Sequence, residues 1–207
     1  MRKSSIIFFL FFLSIQSFSQ SRFKAGFLAG LTTSQINGDG YAGFNKIGPI
    51  IGVFVNSDIK EKWQVQFEIN YINKGSKDPP NHEIGKYNFT RINLHYIEVP
   101  VLAKYYWKKF NFQLGVTLGT LAKERWTDAN GKIPAYINFK RYELGYLAGV
   151  SWEATKSLTL NWRYQSSLLP VANRVTFDPV RFGFFGGSHN IGILLTLRYE
   201  IPLQKSD

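Results

Sequence analysis

The sequence contains no cysteine, a single methionine and only three histidines. Without cysteine there is no disulfide framework and no thiolate metal site. His82, His95 and His189 are scattered, with no spacing that builds a metal site. Acidic residues are also few, 14 against 25 lysines and arginines, for a net charge of +11. Long apolar runs are missing as well. After Gln20 no stretch approaches the ~18 consecutive apolar residues that a membrane-spanning helix needs. That excludes helical spans but not spanning strands, whose alternating pattern dilutes each apolar face with a polar one.

What is present begins with a leader. Met1-Arg2-Lys3 precedes the apolar run Ile6–Leu13, and Ser17-Phe18-Ser19-Gln20 supplies small residues for cleavage before Gln20. This is the form of a secretory signal peptide, leaving residues 20–207 as one mature domain. Loss of Arg2 and Lys3 lowers the charge from +11 to about +9. Export argues against nucleic acid as a partner. A basic surface facing anionic lipid head groups fits better, with solvated charge alone as the plainer reading.

The clearest pattern lies in Trp63–Tyr71, where every odd residue is large and apolar and every even residue is polar. Such a strand has one apolar and one polar face. Its aromatic ends stand about nine residues apart, the span of a tilted strand across a bilayer. The same alternation recurs near 23–31, 47–56, 94–107, 110–121, 142–152, 158–169 and 189–201. Tight turns at 57–62, Lys108-Lys109 and 154–157 alternate with long connections near 32–46, 75–93, 122–140 and 170–188. The sequence therefore predicts an all-β fold: an eight-stranded antiparallel up-and-down transmembrane β-barrel with short periplasmic turns and four long extracellular loops. Trp63, Trp107, Phe110 and Trp152 border the short turns and Tyr71 and Tyr142 the long loops, giving two aromatic girdles. A soluble lipocalin-like barrel or sandwich would alternate too, with its apolar face inward.

The polar faces carry Gln64, Gln66, Glu68, Glu98, Lys104, Glu143, Arg163 and Arg198. Charges near the bilayer midplane cost several kcal/mol on the lipid side. Turned inward, Glu68, Glu98, Lys104, Glu143, Arg163 and Arg198 form a neutralising network that plugs a barrel just wide enough for side chains to fill.

Three stretches carry a family resemblance: Ser34–Asp39 with Gly43–Lys46, Glu68–Gly75, and Tyr96–Tyr105. Together they resemble the PorT-like family of small outer-membrane β-barrel proteins of Gram-negative bacteria, across essentially the whole mature chain. The final strand, Asn190–Tyr199, resembles the signal read by the barrel-assembly machinery, although Leu197 stands where an aromatic is usual. The resemblance implies the fold and the outer membrane. By analogy with the name-giving member it also points to type IX secretion.

The sequence suggests no catalytic residue and no cofactor. Ser188-His189 is the nearest approach to a nucleophile and base, but neighbouring strand residues face opposite ways. Asn37-Gly38-Asp39-Gly40 lacks the acidic ligands of a calcium loop. A partner would meet the long loops. Loop two carries Lys74, Lys77, Lys86 and Arg91; loop three carries Lys123, Arg125, Lys132 and Lys140 with Trp126 and Tyr136; loop four ends in Phe182–Gly187, including Phe184 and Phe185. These suit lipopolysaccharide head groups, a surface glycan or a protein, or they pack over the barrel mouth. The expected activity is structural, assembly or surface interaction. A narrow channel for small solutes and a lipid-modifying enzyme are the alternatives.

Overall fold

The computed structural model describes residues 23–202 apart from 42, 86 and 174–185, so the leader lies outside the described residues. Nine strands follow in order: β1 Lys24–Asn37, β2 Lys46–Lys60, β3 Trp63–Asp78, β4 Thr90–Trp107, β5 Phe110–Asp128, β6 Gly131–Lys132, β7 Tyr142–Glu153, β8 Leu158–Ser167 and β9 His189–Glu200. Each long strand pairs antiparallel with the next, β5 pairs with β7, and β9 returns to β1 with Phe27 opposite Tyr199 and Leu31 opposite Leu195. The sheet closes on itself and has eight staves; β6 is a two-residue hairpin arm on β5.

Closure leaves no unpaired long edge, which is what a sheet needs where water cannot satisfy its backbone groups. The Trp107–Phe110 hairpin is as tight as the sequence suggested, with Lys108 accepting a left-handed φ of 55° that non-glycine residues adopt infrequently.

Apolar side chains cover the outside of the barrel. Leu114 is 65 % exposed, Leu118 64 %, Ile69 58 % and Phe67 55 %, whereas their strand neighbours Gln113, Thr117, Glu68 and Gln66 are buried. An apolar belt of this extent marks a surface in contact with lipid. The soluble barrel is thereby overturned, because it would hold these residues inside. Trp63, Trp107, Phe110, Trp152 and Tyr142 all point outward, and Tyr71 is half-buried.

Several strands overshoot their expected ends. β1 continues to Asn37, β3 to Asp78 and β5 to Asp128, and β4 begins at Thr90, whereas β8 stops at Ser167. All four extensions enter segments that the sequence pattern assigned to loops. The alternation changes sign beyond the belt. There the inward residues become apolar (Ile36, Ile72, Ile92, Leu94, Trp126) and the outward ones polar (Lys77, Arg91, Asn93, Arg125). On β5 the register also shifts, since His95 pairs with Lys123 while Tyr96 pairs with Leu121. Ala122 is thus an extra residue that switches the inward parity.

Candidate functional site

The interior is layered. At the turn end Arg198 lies with its guanidinium carbon 4.0 Å from the Phe54 ring centre, and Lys104 donates to Gln66 Oε1. Both cations are buried, and neither has a carboxylate within 4.0 Å among the described residues. A cavity of about 430 Å³ opens below them, lined by Lys24, Asp58, Glu61, Glu153, Arg198 and Glu200. Lys24 reaches Glu200 at 3.6 Å and Asp58 at 3.9 Å across its mouth.

At mid-height Arg163 Nη1 and Nη2 meet Glu68 at 3.0 and 2.8 Å, and Arg163 Nε donates to Gln113 Oε1 at 2.9 Å. Asn70 donates to the same carboxylate at 2.7 Å. Nearer the loops Lys74 Nζ lies 2.5 Å from Glu98 and 2.7 Å from Glu143. Gln165 donates to both oxygens of Glu98, and Asn190 donates to Glu143 at 2.6 Å. Charges this deeply buried persist because each is paired and its remaining oxygens are hydrogen-bonded.

The six interior charges expected from sequence are all inside, but they do not all neutralise one another as expected. Among the described residues Lys104 and Arg198 join no carboxylate at contact distance, and the cation that holds Glu98 and Glu143 is Lys74. Lys74 was expected on a loop. It is 1 % exposed because β3 extends past it with its side chain inward. No periodicity argument limited to the belt would have found it.

Above this layer an apolar plug closes the barrel. Ile36, Ile72, Ile92, Leu94 and Trp126 pack with Ile137 and Ala172 from the loops. Trp126 was expected as an exposed loop contact and is instead 2 % exposed, its indole N–H bonded to Glu124. It is an inward residue of β5, placed there by the Ala122 bulge. Tyr136 is exposed, packs at a tilt against Trp126 with ring centres 4.3 Å apart and shares a hydrogen bond with Tyr41. Phe184 and Phe185 lie outside the described residues. Loops three and four join through Lys140 N–H to Val171 O at 2.7 Å, and within loop four Val171 N–H donates to Ser188 O at 2.8 Å.

Asp39 sits beside this cap, 4 % exposed, its Oδ1 accepting the Tyr41 N–H at 2.8 Å. Burial raises its pKa from 3.8 to about 6. His189 is buried against Ser167, with Nδ1 3.3 Å from its Oγ and 3.1 Å from its carbonyl. That Oγ also accepts the Asn190 N–H at 3.1 Å, and Ser188 bonds to loop carbonyls instead. Among the described residues no group of three His, Asp or Glu gathers to hold a metal ion.

The sequence profile of the outer membrane protein beta-barrel domain matches residues 16–173. The chain belongs to that family. Its place is therefore the bacterial outer membrane. Comparison with curated proteins gives no match. Among solved structures it is similar to Ail, the attachment invasion locus protein of Yersinia pestis, seen with the heparin analogue sucrose octasulfate. That alignment has 14 % identity and a TM-score of 0.48, covering 86 % of this chain and 99 % of the other. Neisserial surface protein A gives 14 % identity and 0.49 over 86 % and 97 %, and OprG of Pseudomonas aeruginosa gives 10 % and 0.39 over 87 % and 95 %.

Proposed function

We propose that this family member is a closed outer-membrane barrel that does its work at its loop end, as a non-enzymatic surface-interaction or assembly element. The observation that carries the reading is the Arg163–Glu68 pair, which bridges opposite walls of the barrel between the Lys74 layer and the Lys104 layer. With the Trp126 plug above it, side chains of the described residues fill the barrel at successive levels, which supports a closed interior. Purified protein in planar bilayers is expected to give no step conductance. Discrete openings that persist with a single inserted barrel would overturn the reading.

A narrow channel is the second reading, favoured by the 430 Å³ cavity open at the turn end, and the same recording decides between them. A lipid-modifying activity would draw on His189 and Ser167, and unchanged lipid A composition in a His189→Gln strain counts against it. The link to type IX secretion rests on the PorT-like resemblance. Loss of secreted cargo in a deletion strain, restored by the wild-type gene, would support it.

A further inference from the structure

The outward face of β3, β4 and β5 changes character at one level. Tyr71, Ile97 and Thr120 form the last row of the apolar belt. In the next three rows Asn73, His95 and Lys123 stand side by side, then Asn93 beside Arg125, then Lys77, Arg91 and Thr127. Strand geometry puts Lys77, Arg91, Lys123 and Arg125 within a patch of about 14 Å by 10 Å. None of the four has a carboxylate within 4.0 Å among the described residues. Lys77 and Arg91 are directly opposite one another, an arrangement of like charges that destabilises a sheet. Both lean on one ring, Phe89, at 6.0 and 5.7 Å, and Arg91 Nε makes no hydrogen bond.

Inside the barrel Lys74 is neutralised by Glu98 and Glu143, whereas the like charges packed side by side on the outward face, Lys77 and Arg91 among them, repel one another. A tight cation cluster left unneutralised at the outer interface is therefore a site for an external anion. Directly beneath Lys123 the belt is indented by a groove of about 560 Å³, lined by Ile97, Val99, Leu118, Ala122 and Leu144. Arginine forks match phosphate oxygens, and an apolar groove in the lipid layer receives an acyl chain.

We propose that this face binds the phosphorylated, acylated glycolipid of the outer leaflet, with its phosphates on Arg91, Lys123 and Arg125 and an acyl chain in the groove. The inference needs only the barrel's place in the membrane and stands whether or not the interior conducts.

The test uses the full chain in detergent, offered in turn phosphorylated lipid A, its dephosphorylated form, and phosphatidylglycerol, with retained lipid counted by native mass spectrometry. Wild type is expected to retain phosphorylated lipid A at least tenfold better than the other two. The triple variant R91Q/K123Q/R125Q should lose that preference, while K60Q/K156Q/K24Q, with the same charge change at the turn end, should keep it. Heat-modifiable gel mobility reports folding of each. Should the triple fail to fold, A122W serves instead; it fills the groove from an exposed position and is expected to weaken retention of the acylated lipid. Equal retention by the variants, or equal retention of all three lipids, would overturn the proposal.

Discussion

Arg163 and Glu68 meet on the barrel axis from β8 and β3, strands that lie on opposite sides of the closed sheet, through contacts of 2.8 and 3.0 Å. A two-point contact across the full width fixes the distance between the walls as well as neutralising charge. It therefore makes the interior a structural element.

Removing one partner leaves the other charge buried and uncompensated. Glu68→Ala is expected to destabilise the barrel by about 3–5 kcal/mol, read from urea unfolding in lipid vesicles. The double variant Glu68→Ala/Arg163→Met removes both charges and is expected to recover much of the loss. A Glu68→Ala protein as stable as wild type would mean that water enters this layer freely.

The outward belt gives a depth-dependent prediction. Leu114 projects from the middle of the β5 belt and Phe110 from its turn end, both strongly exposed. Leu114→Arg is expected to cost about 2–4 kcal/mol and Phe110→Arg about 0–1 kcal/mol, since charge is tolerated near the interface. Equal losses at both positions would mean that the belt is centred elsewhere.

The belt itself was legible from sequence because lipid outside and polar side chains inside impose one strict alternation over each crossing. Trp63–Tyr71, with Phe67 and Ile69 outward and Gln66, Glu68 and Asn70 inward, fixed both the strand and its facing. Beyond the membrane the rule inverts, because the outward face meets water and the inward face meets the plug. Lys74, Trp126 and Ile92 lie in that inverted region, and there a one-residue bulge at Ala122 breaks the phase that a reader would extrapolate. Lys74 keeps the inward parity of Glu68 and Asn70 on β3, and its pairing with Glu98 and Glu143 was hidden because the strand was expected to give way to a loop there. The cation rows on β3–β5 were visible as charges but not as a patch, because their adjacency comes from cross-strand register.

Trp126 anchors the plug, touching Tyr136 and Phe139 and bonding Glu124. Trp126→Ala is expected to remove about 3–5 kcal/mol of local packing and to speed proteolysis within the loop spanning residues 129–141. Heat-modifiable mobility should persist, because the cavity lies above the belt. Loss of the mobility shift instead would place Trp126 in the global core.

The cap should also respond to acidity through Asp39, a loop residue whose carboxyl is pushed up to about 6 by burial. The folded cap holds the neutral acid, while the opened loop ionises near the ordinary value of 3.8. The raised pKa therefore adds stability that is complete below about pH 4 and is lost as pH rises through 6. A displacement of this size corresponds to at most about 3 kcal/mol. Amide exchange in the loop spanning residues 38–45 is the direct reading. After correction for intrinsic exchange, its protection is expected to fall between pH 4 and pH 7. Asp39→Asn, which cannot ionise, should flatten that dependence while keeping the Tyr41 N–H acceptor. A pH profile unchanged by the substitution would mean that Asp39 is not the group that drives it.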